Sequence, residues 1–185
     1  MDLLEINMIC YKYNINDFEI VDGLVNVTGN VQLANKELTE LPLNFGVVNG
    51  SFYCYGNQLT TLVGSPTKVK GHFYAYYNQL TSLEGCPKDV RDRIDLTNNF
   101  IYDITGITKL KHYDMGLNVN PIFPLIKNML KDPIELENLI ECDMIREHTY
   151  NGKAKLIVCL YEEYKQTTDV DLDDYEVFKW FELIG

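Results

Sequence analysis

The sequence predicts an α+β chain built mainly as a β-solenoid of short turns, with a β-hairpin cap in front and a short helical region behind. Three observations predict it. GSFYCYGNQLTTLVGSPTKVK from Gly50 is followed at once by GHFYAYYNQLTSLEGCPKDVR from Gly71, so the pattern repeats every 21 residues. Within each copy, inward apolar residues alternate with outward ones ahead of a fixed asparagine. Beyond Asn120 the alternation gives way to helical spacing between prolines. Self-similarity at a fixed short period marks a stacked repeat, whose units bury their faces only against one another.

The two clear copies set Asn57 over Asn78, Leu59 over Leu80, Leu62 over Leu83 and Pro66 over Pro87. Upstream, GNVQLANKELTELPLNFGVVN from Gly29 places Val31, Leu33, Leu38 and Leu41 on the marks of Phe52, Cys54, Leu59 and Leu62. Downstream, Asp92 opens a copy with Ile94, Leu96, Asn99, Ile101 and Ile104. That copy is expected to lose one residue near Thr105–Leu110, and a fading copy follows with Tyr113, Met115 and Asn118 in register. The chain divides accordingly into an N-terminal β cap over 1–28, a solenoid over 29–120 and a helical cap or tail over 121–185.

The shared pattern reads FYCYGNQLTTL, FYAYYNQLTSL and IDLTNNFIYDI. It resembles the leucine-rich repeat, whose strand-and-turn half is L-x-L-x-x-N/C-x-L. The NQLTSLEGCP wording and the short period are similar to the leucine-rich-repeat proteins of bacteriophages and prophages, over the first two thirds of the chain. Two departures are visible. Lys36 stands where the asparagine belongs, with Asn35 beside it, and Val48, Val69 and Val90 come one residue earlier than the usual leucine. The resemblance implies a leucine-rich-repeat solenoid that binds a protein, and, where it reflects origin, a phage product inhibiting a host protein in the bacterial cytoplasm.

Elementary stereochemistry accounts for each part of the repeat. Successive strand side chains face opposite sides, so Phe52, Cys54, Phe73 and Ala75 point inward and Ser51, Tyr53, Tyr55, His72, Tyr74 and Tyr76 point outward. Asn57, Asn78, Asn99 and Asn118 fall at the strand exit, where an amide offers both an acceptor and donors to the open backbone of a turn. Leu59, Leu62, Leu80 and Leu83 return to the interior, and Gly64-x-Pro66 and Gly85-x-Pro87 supply the opposite turns. With so short a return, the convex side has no room for full helices. Before Gly29, ICYKYNINDFEIVDGLVNV reads as two strands around Asn14–Asp17 and a third leading into the first coil. After Asn120, PIFPLIKNMLKD, PIELENLIECDMIREH and KAKLIVCLYEEYKQ carry helical spacing.

Composition narrows the function classes. The net charge is −11, which disfavours nucleic acid and anionic membrane, since phosphate contacts need clustered Lys and Arg. No run approaches the ~18 apolar residues of a membrane span, and the MDLLEINMICYKYN start lacks the basic opening and apolar run of a signal peptide. Five cysteines without a C-x-x-C pair point to a reducing cytoplasm. His72, His112 and His148 lie in unrelated settings, and no H-E-x-x-H, phosphate-binding glycine loop or G-x-S-x-G occurs. Asp169, Asp171 and Asp173 open like a calcium loop, but Asp174 replaces its glycine and Trp180 its closing glutamate. Cys142 lies directly before Asp143, which breaks the C-x-D spacing of the bacterial ubiquitin ligases that carry short leucine-rich repeats. No catalytic residue, metal or cofactor is expected.

The expected binding surface is the concave strand face. Its outward residues in successive copies are Asn30, Gln32 and Ala34; Ser51, Tyr53 and Tyr55; His72, Tyr74 and Tyr76, joined by Tyr77; then Arg93, Asp95 and Thr97. Tyrosine combines apolar area with a polar tip at modest entropy cost, so this patch of Tyr53, Tyr55, His72, Tyr74, Tyr76 and Tyr77, flanked by Arg93 and Asp95, predicts a protein partner. The same rings also stabilise a sheet without any ligand. Rival expectations are a self-assembling scaffold, or an acidic nucleic-acid mimic acting through Glu162–Glu176 in the tail.

Overall fold

The structure, a computed structural model, describes residues 1–101, 115–118 and 120. The expected helices over 121–185, the acidic tail and the Ile104 and Tyr113 positions lie outside the described residues.

Among the described residues the chain opens with α1 (Leu3–Lys12), then runs through ten short strands. They are β1 (Phe18–Val21), β2 (Leu24–Val27), β3 (Val31–Gln32), β4 (Phe45–Val48), β5 (Phe52–Tyr53), β6 (Lys68–Val69), β7 (Phe73–Tyr74), β8 (Asp89–Val90), β9 (Ile94–Asp95) and β10 (Met115–Gly116). They form two five-stranded sheets, ordered β1-β2-β4-β6-β8 and β3-β5-β7-β9-β10. Apart from the antiparallel β1–β2 hairpin every pairing is parallel. The molecule is therefore a β-solenoid of about four turns, with one strand of each coil in each sheet.

Register follows from the repeat. Val31 pairs with Phe52, Phe52 with Phe73, Phe73 with Ile94 and Ile94 with Met115. Each step is one coil, and the inward residues stack into columns because a shift of one coil returns every side chain to the same face. Phe52 and Phe73 lie face to face at 5.6 Å, and Phe45 closes edge-on to Phe52 at 5.0 Å. Leu33, Cys54, Ala75, Leu96 and Leu117 make a second buried column, and Val48, Val69 and Val90 bring the opposite sheet onto it. The returning half of each coil is thus a second parallel sheet of short strands.

The N-terminus differs from expectation. The segment from Leu3 is helical, with Asp2 as N-cap: its side chain accepts from the Glu5 N–H at 2.8 Å, and the Glu5 carboxylate accepts from the Asp2 N–H at 2.9 Å. This reciprocal box satisfies two of the amides that a helix start leaves open. The hairpin exists, but it turns at Asp22-Gly23, both at positive φ, and not around Asn14–Asp17. Asn14 and Asp17, also at positive φ, instead link the helix to the hairpin. Ile6, Cys10 and Ile15 cover the open end of the core.

A second correction concerns the last copy. Met115 pairs with Ile94 across a full 21-residue step, so no residue is lost before it. The asparagine of that coil is Asn120, which is buried; Asn118 sits in an exposed turn.

Candidate functional site

The asparagine column is the scaffold of the site. Asn78 Nδ2 donates to Ala75 O in its own coil and to Cys54 O in the preceding one, both at 3.0 Å, while its Oδ1 accepts from the Leu59 N–H at 3.1 Å. Asn57, Asn99 and Asn120 repeat this arrangement on their own coils. Each amide thereby ties two coils together at the strand exit and fixes the backbone that carries the outward side chains. Unpaired, those buried groups would cost about 1–3 kcal/mol each.

Upon this frame the outward residues stand in three columns. The first is Asn30, Ser51, His72 and Arg93; the second Gln32, Tyr53, Tyr74 and Asp95; the third Ala34, Tyr55, Tyr76 and Thr97. At the sheet corner, Ser51 N–H donates to Asn30 Oδ1 at 2.8 Å and His72 N–H to Ser51 Oγ at 3.0 Å. Gly71 permits this closeness, since a Cβ there would collide with Ser51 Oγ and its backbone.

The rings form one continuous cluster. Tyr55 and Tyr76 stack at 4.5 Å and 9°, Tyr53 meets Tyr74 at 5.6 Å, and His72 stacks on Tyr74 at 5.2 Å. Edge or tilted contacts join Tyr53 to Tyr55, Tyr74 to Tyr76 and Tyr76 to Tyr77. All but Tyr77 are half-buried, and Tyr77 is 61% exposed. Tyr55 and Tyr76 cover one face of each other, which takes those two faces out of solvent. Burial holds the Tyr76 phenol above its ordinary value, and neighbouring Tyr55 and Asp95 push it the same way. His72 Nδ1 is buried without a hydrogen-bond partner among the described residues.

Arg93 and Asp95 border the rings as expected, 3.7 Å apart, and Asp95 Oδ1 also accepts from the Thr97 N–H at 3.0 Å. Both side chains lean over Gly116, where any Cβ would strike them. On the other border Gln32 and Ala34 are not aromatic. Among the described residues the aromatic cluster is therefore confined to two adjacent coils.

One feature escaped the sequence analysis. Asn35, Gly56, Tyr77 and Asn98 occupy the same corner of successive coils, and all are left-handed, with φ of 55°, 65°, 52° and 54°. Three of the four are the residue types that tolerate this conformation. Tyr77 is not, and its amide is held there by a 3.0 Å bond to Thr97 O. Alignment of the copies could have found it, because the signal is a tyrosine in a column of Asn and Gly.

Elsewhere, a shallow depression of about 400 Å³ lies beside the hairpin, lined by polar groups including Asp17, Glu19, Asn26 and Asn49. Among the described residues no group of three or more His, Cys, Asp or Glu is placed to hold a metal ion, and no helix is long and apolar enough to cross a membrane. Burial raises the Cys54 thiol far above its ordinary value and pushes Cys86 up to about 12. Buried thiols raised in this way carry little thiolate, the reactive form, near neutral pH. No family model, no curated protein and no solved structure matches this chain.

Proposed function

We propose that this protein is a non-enzymatic binding module of leucine-rich-repeat type, and that it captures a protein partner on the face built by Tyr53, Tyr55, His72, Tyr74, Tyr76 and Tyr77. The observation that carries this reading is Tyr77. A tyrosine held at φ 52° in a column otherwise filled by Asn and Gly, with most of its ring in solvent, adds strain without adding much burial. Backbone strain of this kind, which Glu37 at φ 56° also carries, is a pointer to function where it holds an exposed ring beside an aromatic cluster. The ring cluster supports the same reading, since interlocked side chains lose little further freedom on binding. Arg93 and Asp95 at its border supply directional polar contacts.

The partner class follows from chemistry. A tyrosine-rich surface on a chain of net charge −11 suits a neutral or basic protein surface, and not a phosphate backbone. The NQLTSLEGCP wording supports a phage-encoded protein acting on a host protein in the bacterial cytoplasm, where buried free thiols such as Cys54 and Cys86 stay reduced. The test is affinity capture from bacterial lysate on immobilised protein, with Tyr74→Ala/Tyr76→Ala beside the unaltered chain. The partner should vanish from the variant while its melting point falls by only a few degrees. Retention of the same partner by the variant refutes the assignment of this face.

A further inference from the structure

The cap helix carries apolar side chains on two opposite faces. Ile6 and Cys10 are buried against the end of the coil, with Ile9 and Tyr13 half-buried beside them. Leu4, Met8 and Tyr11 are 70%, 64% and 87% exposed. At about 100° per residue, these three fall within an arc of roughly 60°, diametrically opposite the buried side. Their spacing of four and then three residues is that of a coiled-coil seam. A helix that only caps a solenoid needs one apolar side and a polar outer face. A contiguous exposed apolar stripe marks an interaction surface.

The flanking charges select the occupant. Glu5 and Lys12 lie on the same flank of the seam, roughly 100° and 80° round from Leu4. In an antiparallel pair, residues on like flanks meet across the two-fold axis, so each Glu5 faces the Lys12 of the other copy. A parallel pair would set Lys12 against Asn7 and leave Glu5 with no helical residue opposite it. Glu5 has one carboxylate oxygen engaged by the Asp2 N–H, which leaves the other to pair. The Lys12 ammonium lies 5.0 Å from the ring centroid of Tyr13, on the buried side of the helix, and swings off that ring to reach Glu5 of the second copy.

We propose that the protein self-associates as an antiparallel two-fold dimer through the outer face of α1, with Leu4, Met8 and Tyr11 as the seam and reciprocal Glu5–Lys12 pairs beside it. The surface uses none of the tyrosine-face residues. It offers on the order of 500 Å² per protomer, less than the ~800 Å² of a stable interface, so association is weak and depends on concentration.

Sedimentation equilibrium of the full chain, from micromolar to near-millimolar, should show monomer passing into dimer. Met8→Glu, at the two-fold axis, sets two carboxylates face to face and should weaken association at least ~10-fold. Lys12→Glu converts both Glu–Lys pairs into Glu–Glu pairs and should weaken it as well, whereas Lys12→Gln should have the smaller effect. Both positions are exposed, so circular dichroism should keep the native spectrum and melting should shift by no more than a few degrees, even where Lys12→Glu loses the favourable charge of the last helical turn, which separates lost association from lost folding. A monomer at every concentration, whether the seam is bare or covered by other residues of the same chain, overturns the proposal. So does a dimer indifferent to both Met8→Glu and Lys12→Glu.

Discussion

Replacing Tyr77 by Asn should raise stability and lower binding at once. Asn is what two other coils carry at the equivalent corner, in Asn35 and Asn98, so the backbone need not change. The left-handed conformation costs an ordinary residue about 1–2 kcal/mol, and much of that is relieved by Asn. Against it stands the edge contact between Tyr76 and Tyr77, at 5.7 Å and 76°, worth about 0.5 kcal/mol at so exposed a site. The balance is a gain of roughly 0.5–1 kcal/mol, or about 2–4 °C in melting temperature per kcal/mol for a chain of this size. Urea unfolding at constant m-value would measure it. Binding to the captured partner, followed by calorimetry, should weaken at the same time by about 1 kcal/mol or more, as for a contact residue. Opposite signs for stability and affinity are the signature of strain held for function. A Tyr77→Asn protein less stable than the parent by more than about 0.5 kcal/mol would refute the reasoning, because Tyr77 would then be a packing residue.

Two further outcomes follow from the scaffold. Asn78→Ala leaves the Leu59 N–H without its acceptor and removes one of the two amide donors to Cys54 O and to Ala75 O, which Asn57 and Asn99 still reach, and should cost about 1–3 kcal/mol in denaturant unfolding, while Gln79→Ala beside it should change stability by less than about 0.5 kcal/mol. Cys54 and Cys86 should resist thiol reagents at pH 8 in the folded protein and react once it is unfolded; their folded pKa values exceed the ordinary 9.0, so the unfolded chain sheds these protons first and stability should fall as pH rises from 9 toward 12.

The coil was legible because two copies are almost identical, and one good register sets every inward position in both. Where the copies diverge, physics left two answers. A strand repeats every second residue, so sliding the last copy by two keeps each side chain on its own face. Tyr113–Met115 and Met115–Leu117 then fit equally well, with Asn118 and Asn120 equally placed to follow them, and only the pairing of Met115 with Ile94 decides. The cap helix was missed for another reason. Its β-branched and aromatic residues and the nearby Asn14–Asp17 turn looked strand-like, while the Asp2–Glu5 box that starts the helix was readable as a capping signal. The strain at Tyr77 was beyond composition or alternation, since it emerges only when the corner residues of four coils are set side by side.

The hydrogen bonds between coils also have a direction in time. Val31, Phe52 and Phe73 donate their amides to Ser51, His72 and Arg93, each in the turn that follows, and each asparagine reaches back to finish the turn before it. No turn is complete until its successor has been synthesised. A nascent chain leaving the ribosome would therefore start on the helix and hairpin and wind forward one rung at a time. At any instant only the newest rung would have open backbone groups, which limits the sticky surface that a growing solenoid shows to the rest of the cell.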